Sequence, residues 1–473
     1  MSDRVNAIIA KSGISFGTSG ARGLVEQFTP DVCAAFTAAF LAVMKEDAAV
    51  CRVAIGVDRR PSSPGMAAAC TAAAQAMGID VLDYGVLPTP ALALQAMKDG
   101  IPAIMVTGSH IPFDRNGIKF YRPEGEISKV DEQAILDAAL PTPKIAEIKR
   151  VDTSDLAITG YQQRYTQWFT GRPLAGVRIG LYQHSAAGRD LNQQVLADLG
   201  AEVVVLGRSE VFVPVDTEAV SDEDLALGVK WSFQYQLDAI LTTDGDGDRP
   251  LLADENGHWL RGDIVGLLCA RALGVQALAI PVSCNTAIEQ SGAFSKVVRT
   301  RIGSPYVLAE MQELATDFKC VAGFEANGGF MLGSMITEGE RQLAALPTRD
   351  ALLPALTILV EAAKQKKPLS EIVRHLPARY TVSDRLKDIP AAKSQALLAA
   401  WSQDPSAMVQ ALGLSQPIGA VNLTDGLRVS LLDGNVVHLR PSGNAPELRC
   451  YAEADSTAKA QALVTNTLNK IPL

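Results

Sequence analysis

The sequence predicts an α/β protein built from three similarly organised α/β domains followed by a smaller α+β unit. Three observations lead there. An apolar strand, a helix and a second apolar strand recur three times with little residue identity between copies. At 473 residues, the chain is longer than one hydrophobic core serves. After Pro368 the texture changes, and helical segments give way to hairpin grammar.

The first copy starts at Arg52-Val53-Ala54-Ile55-Gly56-Val57-Asp58, a buried strand, followed by an Ala-rich helix over Ser63 to Met77 and a strand at Val81 to Tyr84. Thr89-Pro90 opens the next helix, Gly100 closes it, and the strand Ala103 to Val106 runs into Thr107-Gly108-Ser109-His110-Ile111-Pro112. Val177 to Leu181, a helix near Asp190 to Leu199 and a strand Glu202 to Leu206 form the second copy. Ala277 to Val282, a helix near Asn285 to Gly292 and Lys296 to Thr300 form the third. The joints fall at Pro141 to Thr153, near Ala253 to His258 and at Gln365 to Pro368, which divides the chain into 1–150, 151–253, 254–367 and 368–473. In the last unit, strands on either side of Asp433-Gly434-Asn435 make a hairpin, and Ser456 to Lys470 reads as an amphipathic helix.

Composition narrows the function classes. Hydrophobic residues make up 48% and charged residues 20%, and no apolar run is long enough to span a bilayer. The first residues lack the layout of a signal peptide, so a cytoplasmic location is expected. Seven single cysteines without a CxxC pair argue against zinc and disulfides and read as buried thiols. A net charge of -9 argues against nucleic acid or an anionic membrane as partner.

Five loops carry candidate chemistry. A strand that delivers Ser109 and His110 into a loop exposes a hydroxyl beside a proton carrier, although Ser109 can equally cap a turn. Phe16 to Gly23 places Arg22 among three glycines, an anion cradle or a plain turn. Asp244-Gly245-Asp246-Gly247-Asp248-Arg249 cannot be a packed core segment: carboxylates about 4 Å apart repel by ~4 kcal/mol per pair at an effective dielectric near 20. A hard divalent cation resolves that. An EF-hand fits Asp244, Asp246, Asp248 and Glu255 by spacing, but Arg249 stands where that loop needs glycine, and a strand precedes it. Gly323 to Gly329 sets Glu325 and Asn327 between glycines, where they can hold sugar hydroxyls. Arg440-Pro441-Ser442-Gly443-Asn444 follows a strand and cradles phosphate by donor count.

Taken together, Thr-Gly-Ser-His, Asp-Gly-Asp-Gly-Asp-Arg, Gly-Phe-Glu-Ala-Asn-Gly-Gly and Arg-Pro-Ser-Gly-Asn, in that order, resemble the loops of the α-D-phosphohexomutases, the phosphomannomutase/phosphoglucomutase superfamily. The resemblance implies four domains around one central cleft, each supplying one loop. By it, Ser109 carries a phosphoryl group, and Asp244, Asp246 and Asp248 bind one Mg²⁺ with an oxygen of that group. Arg249 steadies the phosphate, and Arg22, His110 and Lys119 manage charge and protons. Glu325 and Asn327 hold the sugar. Arg440, Ser442, Gly443 and Asn444 hold the phosphate that does not react, and Arg301, from Arg299 to Ser304, is a further ligand. The implied reaction interconverts hexose 6- and 1-phosphates through a bisphosphate, with hexose 1,6-bisphosphate as activator. Mannose phosphates are the first expectation and glucose phosphates, or both, the alternative. A phosphosugar hydrolase and an idle sugar-phosphate binder are the competing classes. The expected partner is a small phosphosugar, and the expected assembly a monomer or homodimer.

The sequence departs from the common pattern of that superfamily at Gly108 and Ile111 in the serine loop and at Asn444-Ala445 in the phosphate loop. In the sugar loop, Gly329 stands where a histidine is usual.

Overall fold

A pair of parallel strands needs a crossover of a dozen residues or more, which the helices after each apolar strand supply. The computed structural model describes residues 4–17, 20–47, 49–145, 149–442 and 446–472. Its strands form four principal sheets. The first runs Ser15–Phe16, Ala21–Leu24, Arg115–Arg122, Ala103–Val106, Arg52–Val57, Asp80–Val86. The second runs Pro250–Ala253, Ala239–Thr243, Arg178–Tyr182, Glu202–Leu206, and the third Lys296–Thr300, Ala277–Pro281, Val321–Phe324, Phe330–Leu332, Leu346–Asp350.

These three sheets share one plan. In each, the first parallel strand lies between the other two, and the third turns back into an antiparallel neighbour. The three returns occupy residues 107–114, 244–249 and 325–329, so the Ser109, Asp244 and Glu325 loops are topologically equivalent. All lie at the carboxyl end of a parallel strand, the end where open α/β sheets collect ligands.

The fourth sheet, Tyr380–Leu386, Leu448–Ala454, Val436–Pro441, Leu427–Leu431, Ile418–Asn422, is antiparallel throughout. It has its own core, with Trp401, Met408, Leu427, Val437 and Leu468 among its members. Ser456 caps the helix Thr457–Lys470, whose buried face is Ala460, Val464, Thr467 and Leu468. The helix Leu156–Trp168 joins the units bearing the first three sheets. It packs on the helix Thr89–Asp99 of the first. Toward the third, Tyr161 donates to Asp350 Oδ1 at 2.6 Å, and Tyr165 donates to the other carboxylate oxygen.

Two sequence expectations need correcting. The helix over Asn285 to Gly292 shrinks to Ala287–Gln290, because Asn285 is held outside it. Its backbone N–H donates to Asp263 Oδ2 at 2.9 Å, and its side-chain amide donates to Arg379 O and Thr381 Oγ1, each at 3.0 Å. The cysteines are not all buried; Cys51 is exposed and Cys320 half-buried, while the other five are buried. Among the described residues no helix is long and apolar enough to cross a membrane.

His184 and His438 sit inside separate units and donate Nε2–H to the carbonyls of Thr243 at 2.9 Å and Asp425 at 2.6 Å. Burial pushes both imidazoles down to about 4 from 6.5. Both are neutral in the folded protein and protonate more readily once unfolded, so the unfolded chain binds more protons as pH falls from the ordinary histidine value toward 4. Stability therefore falls as pH drops through that window, by on the order of 3 kcal/mol per histidine at its lower end. Urea midpoints measured from about pH 8 to about pH 4.5 should decline below the ordinary histidine value, and His438→Gln should flatten part of that decline.

Candidate active site

The strand Ala103–Val106 ends in Thr107, whose hydroxyl donates to Asp58 Oδ2 at 2.8 Å and accepts the backbone N–H of Ser109, also at 2.8 Å. That turn puts Ser109 in the left-handed region, φ 55°, with its side chain buried. Its hydroxyl donates to Asp244 Oδ2 at 2.5 Å, across the first and second units. His110 Nδ1 lies 3.3 Å from the same hydroxyl but accepts a hydrogen bond from Arg249 Nη1 at 2.7 Å. An imidazole that accepts at Nδ1 is neutral with its proton on Nε2. Burial, and then the Arg249 and Arg22 charges, hold His110 well below the usual histidine range. The acceptor beside the Ser109 hydroxyl is therefore Asp244, and His110 faces the arginines.

The aspartate loop corrects the sequence expectation that such a stretch cannot be packed away. Asp244, Asp246 and Asp248 are all fully buried. Their burial is possible because cations surround them. Lys119 Nζ donates to Asp246 Oδ2 and Asp248 Oδ2, each at 2.6 Å, and Arg349 Nη2 lies 3.1 Å from Asp248 Oδ2. Thr89 adds a hydroxyl to Asp246 Oδ2 at 2.6 Å. Burial works against the charge on Asp246, yet Lys119 holds this carboxyl below the usual carboxylate range. Burial and the two neighbouring carboxylates push Asp244 well above it.

Each of the three aspartates offers a carboxylate oxygen within 4.8 Å of the others. Oδ1 of Asp246 and Oδ1 of Asp248 are buried without a hydrogen-bond partner among the described residues. Buried oxygens of this kind are normally satisfied, and an all-carboxylate set suits a hard divalent cation, so the residues fit such an ion. Glu255 takes no part. Its carboxylate accepts from Ser370, in keeping with a loop that follows a strand and is no EF-hand.

Glu325 and Asn327 are buried, with Glu325 Oε2 3.3 Å from Arg349 Nη1 and 3.4 Å from Asn327 Nδ2. Both line one cleft of about 630 Å³ with Arg22, His110, Arg249 and Arg440. Arg22 Nη2 is buried there without a hydrogen-bond partner among the described residues, and burial, with Arg249 and Arg349 near, lowers this guanidinium to about 10. Arg440 Nε donates to Asp425 Oδ1 at 2.8 Å. Ser442, also on the cleft wall, donates its backbone N–H to Glu447 O at 2.8 Å. Gly443 and Asn444 lie outside the described residues. Arg301 is not among the residues that line the cleft: it is exposed, its guanidinium 5.8 Å from the ring of Tyr306, and Tyr306, Ile302 and Gly303 line the wall beside it.

Arg349 escapes sequence reasoning as a site residue. It stands in the strand Leu346–Asp350, fully buried, and the Asp248 carboxylate, with Glu126 and Glu325, holds its charge against burial. A charged pair, Arg349-Asp350, closing a strand whose other positions are buried or half-buried is the signal available. Arg349 also accounts for Gly329, because a Cβ there would lie 2.7 Å from its Cγ and Cδ. The arginine stem fills the space that any side chain at 329 would need.

Three family models match the chain: phosphoglucomutase/phosphomannomutase alpha/beta/alpha domain I over residues 13–143, domain III over 261–380 and the C-terminal domain over 379–470. A phosphomannomutase of Salmonella muenchen is 54% identical, the match covering 98% of this chain and 97% of that one. A phosphomannomutase of Sinorhizobium fredii is 44% identical, over 96% and 98%. Among solved structures, a phosphoglucomutase/phosphomannomutase family protein from Burkholderia thailandensis superposes with a TM-score of 0.73 at 20% identity, over 96% of each chain, which speaks for the fold. With the loops in place, the domain models in order and relatives matched over nearly their whole length, the chain belongs to the phosphoglucomutase/phosphomannomutase family of the α-D-phosphohexomutases.

Proposed function

We propose that the protein is a phosphomannomutase that interconverts mannose 6-phosphate and mannose 1-phosphate, with Ser109 as the phosphoryl carrier. The observation that carries the reading is the buried Ser109 hydroxyl, 2.5 Å from Asp244 and directly behind His110, which lines the cleft together with Glu325, Asn327, Arg22 and Arg249. The two relatives named phosphomannomutase, at 54% and 44% identity, support mannose as the sugar.

In this reading, phosphorylated Ser109 donates to the free hydroxyl of a bound hexose phosphate. The Oγ–P bond breaks as a P–O bond to the sugar forms, and the proton of that hydroxyl ends on Ser109. The bisphosphate turns round and returns its other phosphate to Ser109. Arg249 and Arg22 face the transferring group with positive charge, and Lys119 balances the aspartates. Glu325 and Asn327 orient the sugar hydroxyls, while Arg440 and Ser442, with Gly443 and Asn444, hold the distal phosphate. Asp244, Asp246 and Asp248 would hold one Mg²⁺, which when bound supplies Lewis-acid charge stabilisation at a phosphoryl oxygen.

Turnover of mannose 1-phosphate and glucose 1-phosphate, each with a trace of the matching 1,6-bisphosphate, tests the activity. The expected result is 6-phosphate formation with the higher kcat/KM on mannose, and Ser109→Ala should lose on the order of 10³-fold or more in kcat. Free phosphate released faster than 6-phosphate would instead indicate a hydrolase. Mg²⁺ at about a hundred times its Kd should stabilise the protein by about 2.7 kcal/mol in a thermal melt, and that shift should disappear in Asp246→Asn.

A further inference from the structure

A left-handed serine is uncommon, and it persists only where its surroundings over-determine it. Thr107 and Asp58 hold one side of the Ser109 turn. The other side is held by Arg60, which is 1% exposed and sits outside every motif used above.

All five guanidinium N–H donors of Arg60 are taken. Nε donates to Asp58 Oδ2 at 3.2 Å. Nη1 donates to the carbonyls of Pro112 at 2.8 Å and Arg115 at 3.0 Å. Nη2 donates to the carbonyls of Ser109 at 2.9 Å and Ile111 at 2.5 Å. One side chain thus gathers three carbonyls of the serine loop, and that of Arg115 where the next strand begins, around a planar fork.

Two further contacts surround that fork. A Cβ at Gly108 would lie 2.6 Å from Arg60 Cζ, so the glycine in the serine loop makes room for the guanidinium. The Phe212 ring, from the second unit, has its centroid 4.0 Å from Arg60 Cζ. Phe212 in turn abuts the aspartate loop, 3.2 Å from where a Cβ on Gly245 would stand, and the Ser109 carbonyl lies 2.8 Å from the same point. Arg60 therefore meets the serine loop directly and the aspartate loop through one ring.

We propose that Arg60 is the positioning residue of the phosphoryl carrier: its guanidinium fixes the Ser109 loop in the conformation that aims Oγ at Asp244, and Phe212 keeps that loop in register with the aspartates. The inference rests on the reading of Ser109 as the carrier. Lysine cannot replace Arg60, because three donors on a single ammonium do not span four carbonyls and Asp58.

The test uses the full-length protein as wild type, Arg60→Lys, Arg60→Ala and Phe212→Leu, with mannose 1-phosphate and bisphosphate. Each is read by kcat, KM, thermal midpoint and phosphate on Ser109 by intact-protein mass spectrometry. Arg60→Lys is expected to lower kcat about 10²-fold while KM changes less than about threefold, the signature of a misplaced reacting group. Phe212→Leu should lower kcat less, and guanidinium ion should restore part of the activity of folded Arg60→Ala. A kcat within about twofold of wild type in Arg60→Lys would overturn the inference. So would losses of kcat that merely follow loss of folded protein, with Phe212→Leu unaffected and no response to guanidinium. Wild type that turns over without ever carrying phosphate on Ser109 would overturn the underlying reading instead, and is told apart because it appears before any Arg60 variant is made.

Discussion

Compensation of buried charge is the constraint on which the rest of this molecule depends. Three aspartates stand fully buried within one loop, and ions taken out of water cost several kcal/mol each unless partners surround them. The partners come from different places in the chain: Lys119 from the first sheet, Arg249 from the loop itself and Arg349 from the third sheet. No one unit could bury this cluster alone. The docking of the first three units is thus written into their charges as well as into their shared apolar core.

The same cluster links fold to chemistry. Lys119, Arg349 and Thr89 occupy the Oδ2 atoms of Asp246 and Asp248, while Oδ1 of each has no hydrogen bond among the described residues, Arg249 Nε standing 3.7 Å from that of Asp248. A water-poor pocket of this kind strengthens every charge that enters it, which suits a reaction that depends more on positioning and electrostatics than on covalent help. His110 belongs to the cationic side, since its Nδ1 accepts from Arg249 and leaves the serine hydroxyl to Asp244.

Much of this is legible in the sequence, for a physical reason. Strand and helix periodicity repeats three times, and the serine, aspartate and sugar loops each sit after an apolar run, so a local pattern is enough to find Ser109, Asp244 and Glu325. Arg60 and Arg349 escape because their roles exist only between segments far apart in the chain: Arg60 reaches carbonyls about fifty residues on, and Arg349 reaches back to Asp248. The traces they leave are glycines. Gly108 and Gly329 look like losses when read along the chain, yet each leaves the space that a buried arginine occupies. The burial of the aspartates is hidden for a related reason, since most of their partners are distant in sequence. Arg301 shares its segment with Ile302 and Gly303, which do line the cleft, and a pattern along the chain does not tell the three apart.

The common plan of the first three sheets has a mechanical consequence. Each of their functional loops leaves the last parallel strand and re-enters an antiparallel neighbour within a few residues, so ladder hydrogen bonds clamp it at both ends. The ladders tie the ends of each loop to its sheet, and in the first loop the Arg60 guanidinium holds the carbonyls between them. A small tilt of one sheet therefore carries its loop with it and loads the buried contacts that tie the first three units together. The three loops behave like the jaws of a chuck, each carried by the body that bears it.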